Sequence, residues 1–381
     1  MKMLSKPVYS PALRMKAGEL EGLRQLAPDV ADCILPRFIV PPQSERDETR
    51  PLLFNVEEMP DIGPALAAHW RERPVLIDST YIIDEYGRDR LQTWLPSMFE
   101  RARKARVCAI PAALLSDLDH TVCLAFREVI ARNEDVKFAI CIPSDDMVGP
   151  EFFAAMNEAL TALGLTPSDC AVIADFSAAE FSDPDIVAPI IGGALETLQE
   201  FGAWQLIIFQ GTHFPDKNPA DHDSVEIWPR NEWHAWRKAV KLDPTTAEHM
   251  IFGDYAADCA KMVFGKGGMA IRHLRYTTSE HWRIQRGAKT GSDKKIMHDV
   301  YKGIFESGHF AGEGFSEADA YIARAAANAN AGPGIAKTWR QLNTTHHITV
   351  VVSALAKVRG IVIAKGDGDL ANRQLSLLDQ S

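Results

Sequence analysis

Charged and hydrogen-bonding side chains recur directly after short apolar runs, at places where a strand would end. The run LIIFQ is followed at once by Gly211, Thr212 and His213, with no spacer between them. Comparable polar residues follow or end other runs, namely Lys16, Glu19, Asp78, Asp175, Asp254 and Tyr255. Basic side chains suit phosphate or carboxylate groups, and clustered carboxylates suit a divalent cation. The pattern predicts a polar site for an anionic ligand, with Mg²⁺ as an optional second ligand held by the aspartates.

Further candidates lie toward the C-terminus. Arg230 opens a segment with helical spacing, and Arg275 and Arg286 lie in or beside two strand-like pieces that could pair as a hairpin. His346 belongs to an adjacent pair of histidines, which suggests a metal ligand. Adjacent side chains point in different directions in a helix or strand, however, so the pair is a poor metal site.

Several of these residues also have a purely structural interpretation. Asp78 and Asp175 would each serve as the N-cap of the next helix. Glu19 lies in a first helical turn, where a carboxylate is favoured in any case. Thr344 or Thr345 is the expected N-cap of a helix that contains the two histidines. The carboxylates therefore indicate a polar site more strongly than a metal site.

The apolar runs that carry these residues number eight and alternate with segments of helical spacing. They lie at 11–16, 34–40, 74–78, 107–112, 137–143, 170–176, 205–211 and 249–255. Several are apolar on both faces, as parallel strands covered by helices are. Eight such units within about 255 residues predict an α/β fold, a TIM-type (β/α)8 barrel. An open doubly wound sheet is the alternative, although it usually has fewer strands.

The barrel prediction fixes where the chemistry would lie. Ligand sites of such barrels lie at the C-terminal ends of the strands, so the residues above would converge on one mouth. Gly211 and Thr212 follow the seventh strand, in a region where barrels commonly bind phosphate. They would offer a backbone N–H and a hydroxyl group to an anion.

The last third of the chain does not continue the β/α pattern. We predict that residues 1–258 form the barrel, that 259–365 form a hairpin and a helical layer packed on it, and that 366–381 are a loose tail. The segment 348–363 is rich in β-branched residues, so its helix is only weakly predicted.

Composition and charge argue against several functional classes. The 381 residues are 46% hydrophobic and 24% charged, which is the balance of a soluble globular protein. The net charge of −10 gives no overall support for nucleic-acid binding. The six cysteines show no CxxC spacing, which argues against zinc and fits a reducing cytoplasm. The sequence contains neither a membrane-length apolar run nor a signal-peptide core.

A set of ordered motifs gives a more specific indication than any one of them. They read YSPALRMKAGELEGL, PVLID, FQGTHFP, RNEW, FGDYA, RYT with WRIQRG, FAGEGFSEAD and WRQLNTTHHIT. Together they resemble the phage "beta protein" family, over nearly the whole chain. That family occurs in tailed phages and in bacterial genomes, often in mobile or defence-related neighbourhoods.

The resemblance implies a phage–host setting and no particular reaction type. It draws attention to the motif positions Lys16, Glu19, Asp78, Asp175, Thr212, Arg230, Asp254, Arg275, Arg286 and His346.

Two functions follow as hypotheses, and the sequence does not decide whether the protein is an enzyme. In the first, a cytoplasmic component of phage–host conflict binds a nucleotide or other phosphate ester at the barrel mouth. If it is catalytic, metal-assisted hydrolysis of a phosphate ester is the predicted reaction. In the second, the barrel is a non-catalytic scaffold that binds a protein partner, with Trp228, Trp233 and Trp282 as candidate exposed aromatic residues.

Overall fold

Eight parallel strands close into a barrel in the computed structural model of the chain, which describes residues 7–42, 61–261, 270–358, 360 and 363. In order around the barrel they are β1 (Tyr9–Leu13), β2 (Arg37–Ile39), β3 (Pro74–Asp78), β4 (Cys108–Leu114), β5 (Phe138–Pro143), β6 (Cys170–Asp175), β7 (Leu206–Gln210) and β9 (Met250–Asp254). A further strand, β8, lies outside the barrel. Each of the eight predicted runs overlaps one barrel strand, which confirms the TIM-type fold. The doubly wound alternative is wrong because β9 pairs with β1 and closes the sheet.

Helices cover the outside of the barrel, where their apolar faces pack against outward-facing strand residues. They are α1 (Ala17–Arg24), α2 (Pro28–Ala31), α3 (Gly63–Ala67), α4 (Thr80–Tyr86), α5 (Leu91–Lys104), α6 (His120–Arg127), α7 (Pro150–Leu163), α8 (Pro184–Phe201), α9 (Asn231–Leu242) and α10 (Thr246–His249). Local signals set their ends. In α7, for example, Pro150 occupies the first position and Gly164 ends the helix with a left-handed φ of 68°.

The barrel interior is apolar toward the N-terminal ends of the strands and polar toward the mouth. Because side chains alternate along a strand, Leu76 and Asp78 both face the interior. Arg37 is the Cα partner of Leu76 on the neighbouring strand, so it faces the interior as well. The lower interior is filled by a buried cluster that includes Leu35, Leu76, Ile110, Ala139, Ala171, Ile173, Leu206, Ile208 and Ile251. The interior is thus a packed core that ends in a polar layer.

The C-terminal part forms a second layer beside the barrel. Its strands are β8 (Ser224–Pro229), β10 (His273–Thr277) and β11 (His281–Arg286), and its helices are α11 (Asp293–Phe305), α12 (Glu317–Ala327) and α13 (Ala336–Val358). The predicted hairpin is present as β10 and β11. β8 is an addition to the prediction: it comes from the connection between β7 and α9 and pairs antiparallel with β11. None of the described helices has both the length and the apolar character needed to cross a bilayer.

The helix α13 joins the two layers. Residues 344–353 are all buried, and a helix that is buried on every side tolerates β-branched residues despite their weak helical propensity. The helix begins at Ala336, so the prediction that Thr344 or Thr345 caps it is wrong. His346 and His347 therefore lie in the middle of a buried helix.

α1 and α13 approach each other closely because α1 presents two glycines at the contact. A Cβ atom at Gly18 would lie 2.6 Å from the carbonyl oxygen of Lys337, and one at Gly22 would lie 2.8 Å from the Cβ of Thr344. The two glycines are four residues apart and therefore share one helix face. This close contact places the first turns of α13 beside the barrel mouth, where α1 begins.

Candidate ligand-binding site at the barrel mouth

Three arginines and two carboxylates converge at the C-terminal end of the barrel, in what we call the rim cluster. Its members are Arg14, Glu19, Asp258, Arg275 and Arg340. Arg14 follows β1, Glu19 lies in the first turn of α1, and Asp258 follows β9. Arg275 and Arg340 come from β10 and α13. The barrel supplies both carboxylates, whereas the C-terminal layer supplies two of the three guanidinium groups.

Asp258 is the centre of the rim cluster. Its Oδ1 lies 2.6 Å from Nη1 of Arg275, and its Oδ2 lies 2.9 Å from Nη1 of Arg340 and 3.3 Å from Nη1 of Arg14. Burial raises the pKa of Asp258, but the three guanidinium groups outweigh burial and hold that pKa well below its usual range. Burial lowers the pKa of Arg14 and Arg340, and their acidic neighbours more than reverse this effect. Asp258, Arg14 and Arg340 are therefore charged at neutral pH.

The rim cluster has more positive than negative charge. Glu19 accepts a hydrogen bond of 2.6 Å from the backbone N–H of Arg14, and its other oxygen lies 2.9 Å from Nη1 of Arg340. Three guanidinium groups face two carboxylates, which leaves a net charge of +1.

The Arg340 side chain is 33% exposed, so solvent reaches the cluster. Arg14 also donates to the backbone oxygen of Cys259, and Arg275 donates from Nη1 to that of Ala257 at 2.9 Å, so part of their donor capacity is used inside the protein. Arg340 contacts both carboxylates through Nη1, and a guanidinium has five N–H donors, so Arg340 has donors for a further anion.

The backbone is strained at both ends of the pair formed by Arg14 and Asp258. Met15, directly after Arg14, has a φ of 55°, while Ala256 and Ala257, just before Asp258, have φ values of 49° and 64°. Left-handed conformations cost a non-glycine residue roughly 1 kcal/mol or more, and they concentrate at ligand sites. The strain thus accompanies the two turns that bring Arg14 and Asp258 to the rim.

A second polar group lies deeper, at the top of the barrel interior, and we call it the floor cluster. It consists of Arg37, Asp78, Cys141, Asp175 and Gln210. Arg37 donates to Oδ2 of Asp78 from Nε at 3.0 Å and from Nη2 at 2.6 Å. Its Nη1 lies 3.5 Å from Oδ2 of Asp175, which in turn lies 3.4 Å from the sulfur of Cys141. Asp78 and Asp175 also accept from backbone N–H groups two residues on. The N-caps of α4 and α8 are Ser79 and Asp183, however, so the prediction that the two aspartates are N-caps is wrong.

Burial and pairing set the ionisation of the floor cluster. Burial lowers the pKa of Arg37, yet the surrounding acidic groups, including Asp78 and Asp175, more than restore it. Burial raises the pKa of the Cys141 thiol well above its usual value despite the opposing effect of Arg37. The thiol is therefore protonated at neutral pH and is not a ready nucleophile. Burial likewise raises the pKa of Tyr255, which lies beside this cluster.

Asp254 faces away from both clusters. Alternation places its side chain on the same side as Phe252, in the layer between the barrel and the outer helices. It accepts a hydrogen bond from the hydroxyl of Tyr9, and its Oδ2 lies 2.8 Å from Nε2 of His347. Nδ1 of His347 lies 2.8 Å from Oγ1 of Thr277. The structure therefore does not bring Asp254 together with the two floor carboxylates.

Thr277, His347 and Asp254 have the order of a hydroxyl–imidazole–carboxylate triad. Their relative exposures are 0%, 0% and 1%, and each side chain is hydrogen-bonded to the next, so the row is complete without a ligand. Burial lowers the pKa of His347 against the opposing effect of Asp254, which favours a neutral ring. A neutral ring satisfies both partners when it donates from Nε2 to Asp254 and accepts at Nδ1. The three residues tie β9, α13 and β10 together.

His346 lies on the other side of α13 and forms a second tie. Its Nδ1 lies 3.0 Å from Oδ2 of Asp319, and its Nε2 lies 2.8 Å from the carbonyl oxygen of Thr277. Each ring nitrogen therefore lies at hydrogen-bond distance from an oxygen atom. The Tyr276 ring stacks on the His346 ring with centroids 3.8 Å apart. His346 thus joins α13 to α12 and β10, and these contacts keep it out of the rim cluster.

Arg230 is buried beneath the mouth, with an exposure of 1%. Its Nη1 donates to the carbonyl oxygen of Thr278 at 3.0 Å, and its guanidinium lies 5.3 Å from the ring centre of Trp233 and 5.9 Å from that of Trp282. Its Nε lies 3.8 Å from Oε1 of Glu232. Burial raises the pKa of Glu232 to about 8, so this carboxyl is largely neutral at physiological pH.

The loop after β7 does not offer free donors at the two predicted positions. The N–H of Gly211 donates to the carbonyl oxygen of Gly253 at 3.2 Å. The hydroxyl of Thr212 donates to the backbone oxygen of Asp258 at 3.0 Å. Both donors are used inside the protein, so neither is free for an anion in this structure. Thr212 instead helps to position Asp258 in the rim cluster.

The remaining predicted residues lie in different places. Lys16 is half-buried and directly precedes α1, in the mouth segment that carries Arg14 and Glu19. Arg286 donates from Nη1 to the carbonyl oxygen of Ala220 at 2.6 Å, and its Nη2 lies 3.2 Å from Nε2 of His222. These contacts place Arg286 against the connection between β7 and β8 and not in the rim cluster.

The polar residues that the sequence interpretation missed lie inside or beyond the predicted elements. Arg14 and Arg37 are charged residues within apolar runs, and Gln210 ends another. Arg14 and Arg37 could have been found, because each is a charged residue in an otherwise apolar predicted strand. Side chains alternate along a barrel strand, so such a residue can face the barrel interior. Asp258 and Arg340 carry no comparable local signal.

Within the described part of the chain, no group of three or more histidine, cysteine, aspartate or glutamate side chains is arranged to hold a metal ion. Asp78 and Asp175 share the guanidinium of Arg37, and Asp254 lies in another layer. The Mg²⁺ prediction therefore has no set of three carboxylates to support it here and stays untested.

One comparison with known proteins is informative. A family model described as Beta protein matches residues 9–353, which is nearly the whole chain. No curated protein matches the sequence. The matched range includes every residue of the rim cluster and the floor cluster.

Proposed function

The chain belongs to the Beta protein family, and from that premise we propose that its barrel mouth binds a small anionic ligand, a nucleotide or another phosphate ester. The observation that carries the proposal is the convergence of Arg14, Arg275 and Arg340 on Asp258, with a net charge of +1 in the rim cluster. Guanidinium groups match phosphate oxygens in shape and form strong charge-assisted hydrogen bonds with them.

The charge of the whole protein supports a small ligand over a polymer. The chain has a net charge of −10, so a polyanion such as nucleic acid is repelled at long range. A compact anion meets mainly the local field of the rim cluster, which salt screens only partly because the site is half-buried. We therefore assign the cluster to a monomeric phosphate ester and not to a nucleic-acid backbone.

The biological setting is a separate part of the proposal. We propose a cytoplasmic role in phage–host conflict, and this part rests on the family resemblance alone. Metal-assisted hydrolysis is not included, because the carboxylates of both clusters are already paired with guanidinium groups. Mg²⁺ remains a component of the binding assay.

The alternative function, a protein-interaction scaffold, was suggested by three tryptophans, and two of them are buried. Trp233 and Trp282 are 6% and 0% exposed, so neither offers a binding surface. Trp228 is half-buried, and its Nε1 donates to the carbonyl oxygen of His213 at 2.8 Å. What favours this alternative is the edge strand β8, where Val225 and Ile227 are 37% and 46% exposed.

The proposal is tested by titrating inorganic phosphate and a nucleotide panel, with and without Mg²⁺, into the full chain by calorimetry. We expect Arg340→Met to weaken phosphate binding about tenfold or more, because one charge-assisted bond contributes roughly 1.5–3 kcal/mol. Arg237→Met is the matched control, since Arg237 is 32% exposed and pairs with one carboxylate, that of Glu280, at 2.9 Å.

Both variants change the net charge equally, so only local contact separates them. If no anion binds the wild-type protein, or if both variants weaken binding equally, the mouth is not an anion site. Capture of a partner that depends on Val225 and Ile227 would then favour the scaffold.

A further inference from the structure

In the part of the chain that the structure describes, two buried polar atoms of the floor cluster lack a hydrogen-bond partner, although one of them lies in an ion pair, 3.5 Å from Oδ2 of Asp175. Arg37 is 4% exposed and Gln210 is 0% exposed. Among the described residues, Nη1 of Arg37 and Oε1 of Gln210 have no hydrogen-bond partner. Leaving a buried polar atom unsatisfied costs about 1–3 kcal/mol, so such atoms call for an explanation.

Both atoms belong to side chains that face the barrel interior. Gln210 lies two residues beyond Ile208, which is part of the apolar cluster that fills the interior. Its Cα partner on the neighbouring strand is Asp175, which lies two residues beyond Ile173 of the same cluster. Asp175 and Gln210 therefore stand side by side, about 4.8 Å apart across the sheet, on the interior side.

The floor cluster is rich in acceptors, in contrast to the rim. One guanidinium and two carboxylates give it a net charge of −1, and Gln210 adds an amide oxygen. Asp175 and Gln210 offer acceptors, whereas Nη1 of Arg37 offers a donor. A hydroxyl group satisfies this set, because it donates one hydrogen and accepts through its lone pairs.

The distance between the rim cluster and the floor cluster matches the length of one small molecule. Ala12 on β1 is the Cα partner of Arg37, and Arg14 lies two residues further toward the mouth. Two strand residues span about 7 Å, which is close to the distance between a phosphate group and the ring hydroxyls of a sugar phosphate. Tyr81 packs against the apolar cluster that contains Ala12 of β1 and Ile39 of β2, which lie two residues from Arg14 and Arg37 respectively.

We infer that the floor cluster binds the hydroxyl groups of a phosphorylated sugar or polyol, with Asp175 and Gln210 accepting and Arg37 donating. The inference rests on the proposed function, because the rim cluster must hold the phosphate. It narrows the ligand from any phosphate ester to one that carries hydroxyl groups about 7 Å from its phosphate.

The test compares two phosphate esters of equal charge in calorimetric titrations of the full chain. Ribose 5-phosphate carries hydroxyl groups, and butyl phosphate carries none. We expect ribose 5-phosphate to bind the wild-type protein at least about tenfold more tightly, because a site built to bond a hydroxyl discriminates against the analogue that lacks it. Inorganic phosphate should bind about as well as butyl phosphate.

Two variants test whether the preference for ribose 5-phosphate depends on the floor cluster. Gln210→Met removes the amide oxygen at similar volume, and Asp175→Asn removes the carboxylate at nearly constant shape. Each should reduce the preference for ribose 5-phosphate and leave butyl phosphate binding within about twofold, as expected for separate subsites. Arg340→Met should weaken both esters alike. If Gln210→Met does not fold, judged by circular dichroism, Asp175→Asn carries the test.

The outcomes separate the two claims. If both esters bind the wild-type protein equally, or if the floor variants weaken both esters equally, the hydroxyl subsite is wrong while the anion site stands. If nucleotides bind and ribose 5-phosphate does not, the floor cluster binds the nucleobase, and the inference of a hydroxyl subsite is again wrong. If none of these anions binds, the proposed function fails as well.

Discussion

At the scale of single residues, Asp258 has the largest role in the rim cluster, because its one buried carboxylate pairs with three guanidinium groups. Removing one partner of a buried ionic network leaves uncompensated charge, and that is more costly than removing the network entirely. Arg14, Arg275 and Arg340 all depend on it. Asp258 is therefore both the structural centre of the rim cluster and the reason why the three arginines can be held together.

Asp258→Asn should destabilise the protein by roughly 3 kcal/mol, measured as the free energy of unfolding in urea at pH 7. Asp216→Asn is the control, because Asp216 is 52% exposed and pairs with Lys261 at the surface. The control should cost no more than about 1 kcal/mol. Equal effects would mean that the rim cluster contributes no more than a surface ion pair.

The same variant should change the response to acid. Guanidinium neighbours hold the pKa of Asp258 well below its usual range, so its contribution is present above the unfolded pKa of about 3.9. That contribution is lost as the pH falls through the depressed folded value. We expect the free energy of unfolding of Asp258→Asn to fall less steeply than that of the wild-type protein below about pH 4. Parallel acid profiles would contradict the assignment.

Glu232 should have the opposite pH dependence. Its folded pKa of about 8 lies above the unfolded value, because burial disfavours the anion. The stability it contributes is full below about pH 4.3 and is lost as the pH rises toward 8. Between these values the wild-type protein should lose up to about 1.4 kcal/mol per pH unit relative to Glu232→Gln.

Urea unfolding at several pH values between 5 and 8 measures this difference. Glu248→Gln is the control for removal of a carboxylate, because Glu248 is exposed. A constant difference for Glu232→Gln would show that the carboxyl is ionised throughout the range.

At the scale of elements, the contact between α1 and α13 positions the rim cluster. Glu19 lies on α1 and Arg340 on α13, and the glycines of α1 allow the helices to approach. The carboxylate and the guanidinium meet only because no side chain separates the two backbones. The helix contact is therefore part of the proposed ligand site, although it buries mainly apolar and small residues.

Gly22→Ala should push α13 away from α1. The new Cβ would lie 2.8 Å from the Cβ of Thr344, and overpacking of this kind costs about 1–3 kcal/mol. Phosphate binding should weaken in the same variant, because the shift moves Arg340. Gly193→Ala on α8 is the control, since its Cβ would meet nothing within 4 Å. It should raise the melting temperature slightly, as alanine favours a helix over glycine by up to about 1 kcal/mol.

The elements were largely predictable, whereas the direction of each side chain was less so. All eight barrel strands follow from apolar runs, because strands buried on both faces leave a local signal in the sequence. The side to which a strand residue points depends on register, which local sequence does not fix. For this reason Asp254 was expected at the mouth but faces α13, and Arg37 was overlooked although it faces the interior.

Residues from distant parts of the chain were beyond prediction for a different reason. Arg340 lies on a helix whose true start at Ala336 gives no clear capping signal, and it meets Asp258 only after the whole layer has docked. Gly211 and Thr212 were correctly located near the mouth, but the partners that occupy their donors come from the loop and strand around β9. Such pairing is a property of the tertiary fold.

At the scale of the whole molecule, the barrel and the C-terminal layer form one unit. They are joined by the row of Tyr9, Asp254, His347 and Thr277 and by the rim cluster. Both junctions consist of polar groups that are satisfied only when the two layers are in contact. A barrel without its second layer would expose unpaired buried groups, which is costly.

Tyr9→Phe should therefore lower the stability of both layers together. The variant removes the hydroxyl that donates to the buried Asp254, at a cost of about 1–3 kcal/mol. Hydrogen exchange should accelerate to the same extent in β3 and in α11, one in each layer. Tyr86→Phe, whose ring packs against Trp94 on the outside of the barrel, is the control. Acceleration confined to one layer would show that the two unfold independently.

The order in which the rim cluster is assembled has a consequence for protein synthesis. Arg14 and Glu19 leave the ribosome early, Asp258 and Arg275 follow, and Arg340 emerges near the end. Before Arg340 arrives, two arginines face two carboxylates, and the unfinished rim has no net charge. If the proposed function holds, affinity for an anion therefore arises only once α13 has been made, and a chain that ends before it does not compete with the full-length protein for the ligand.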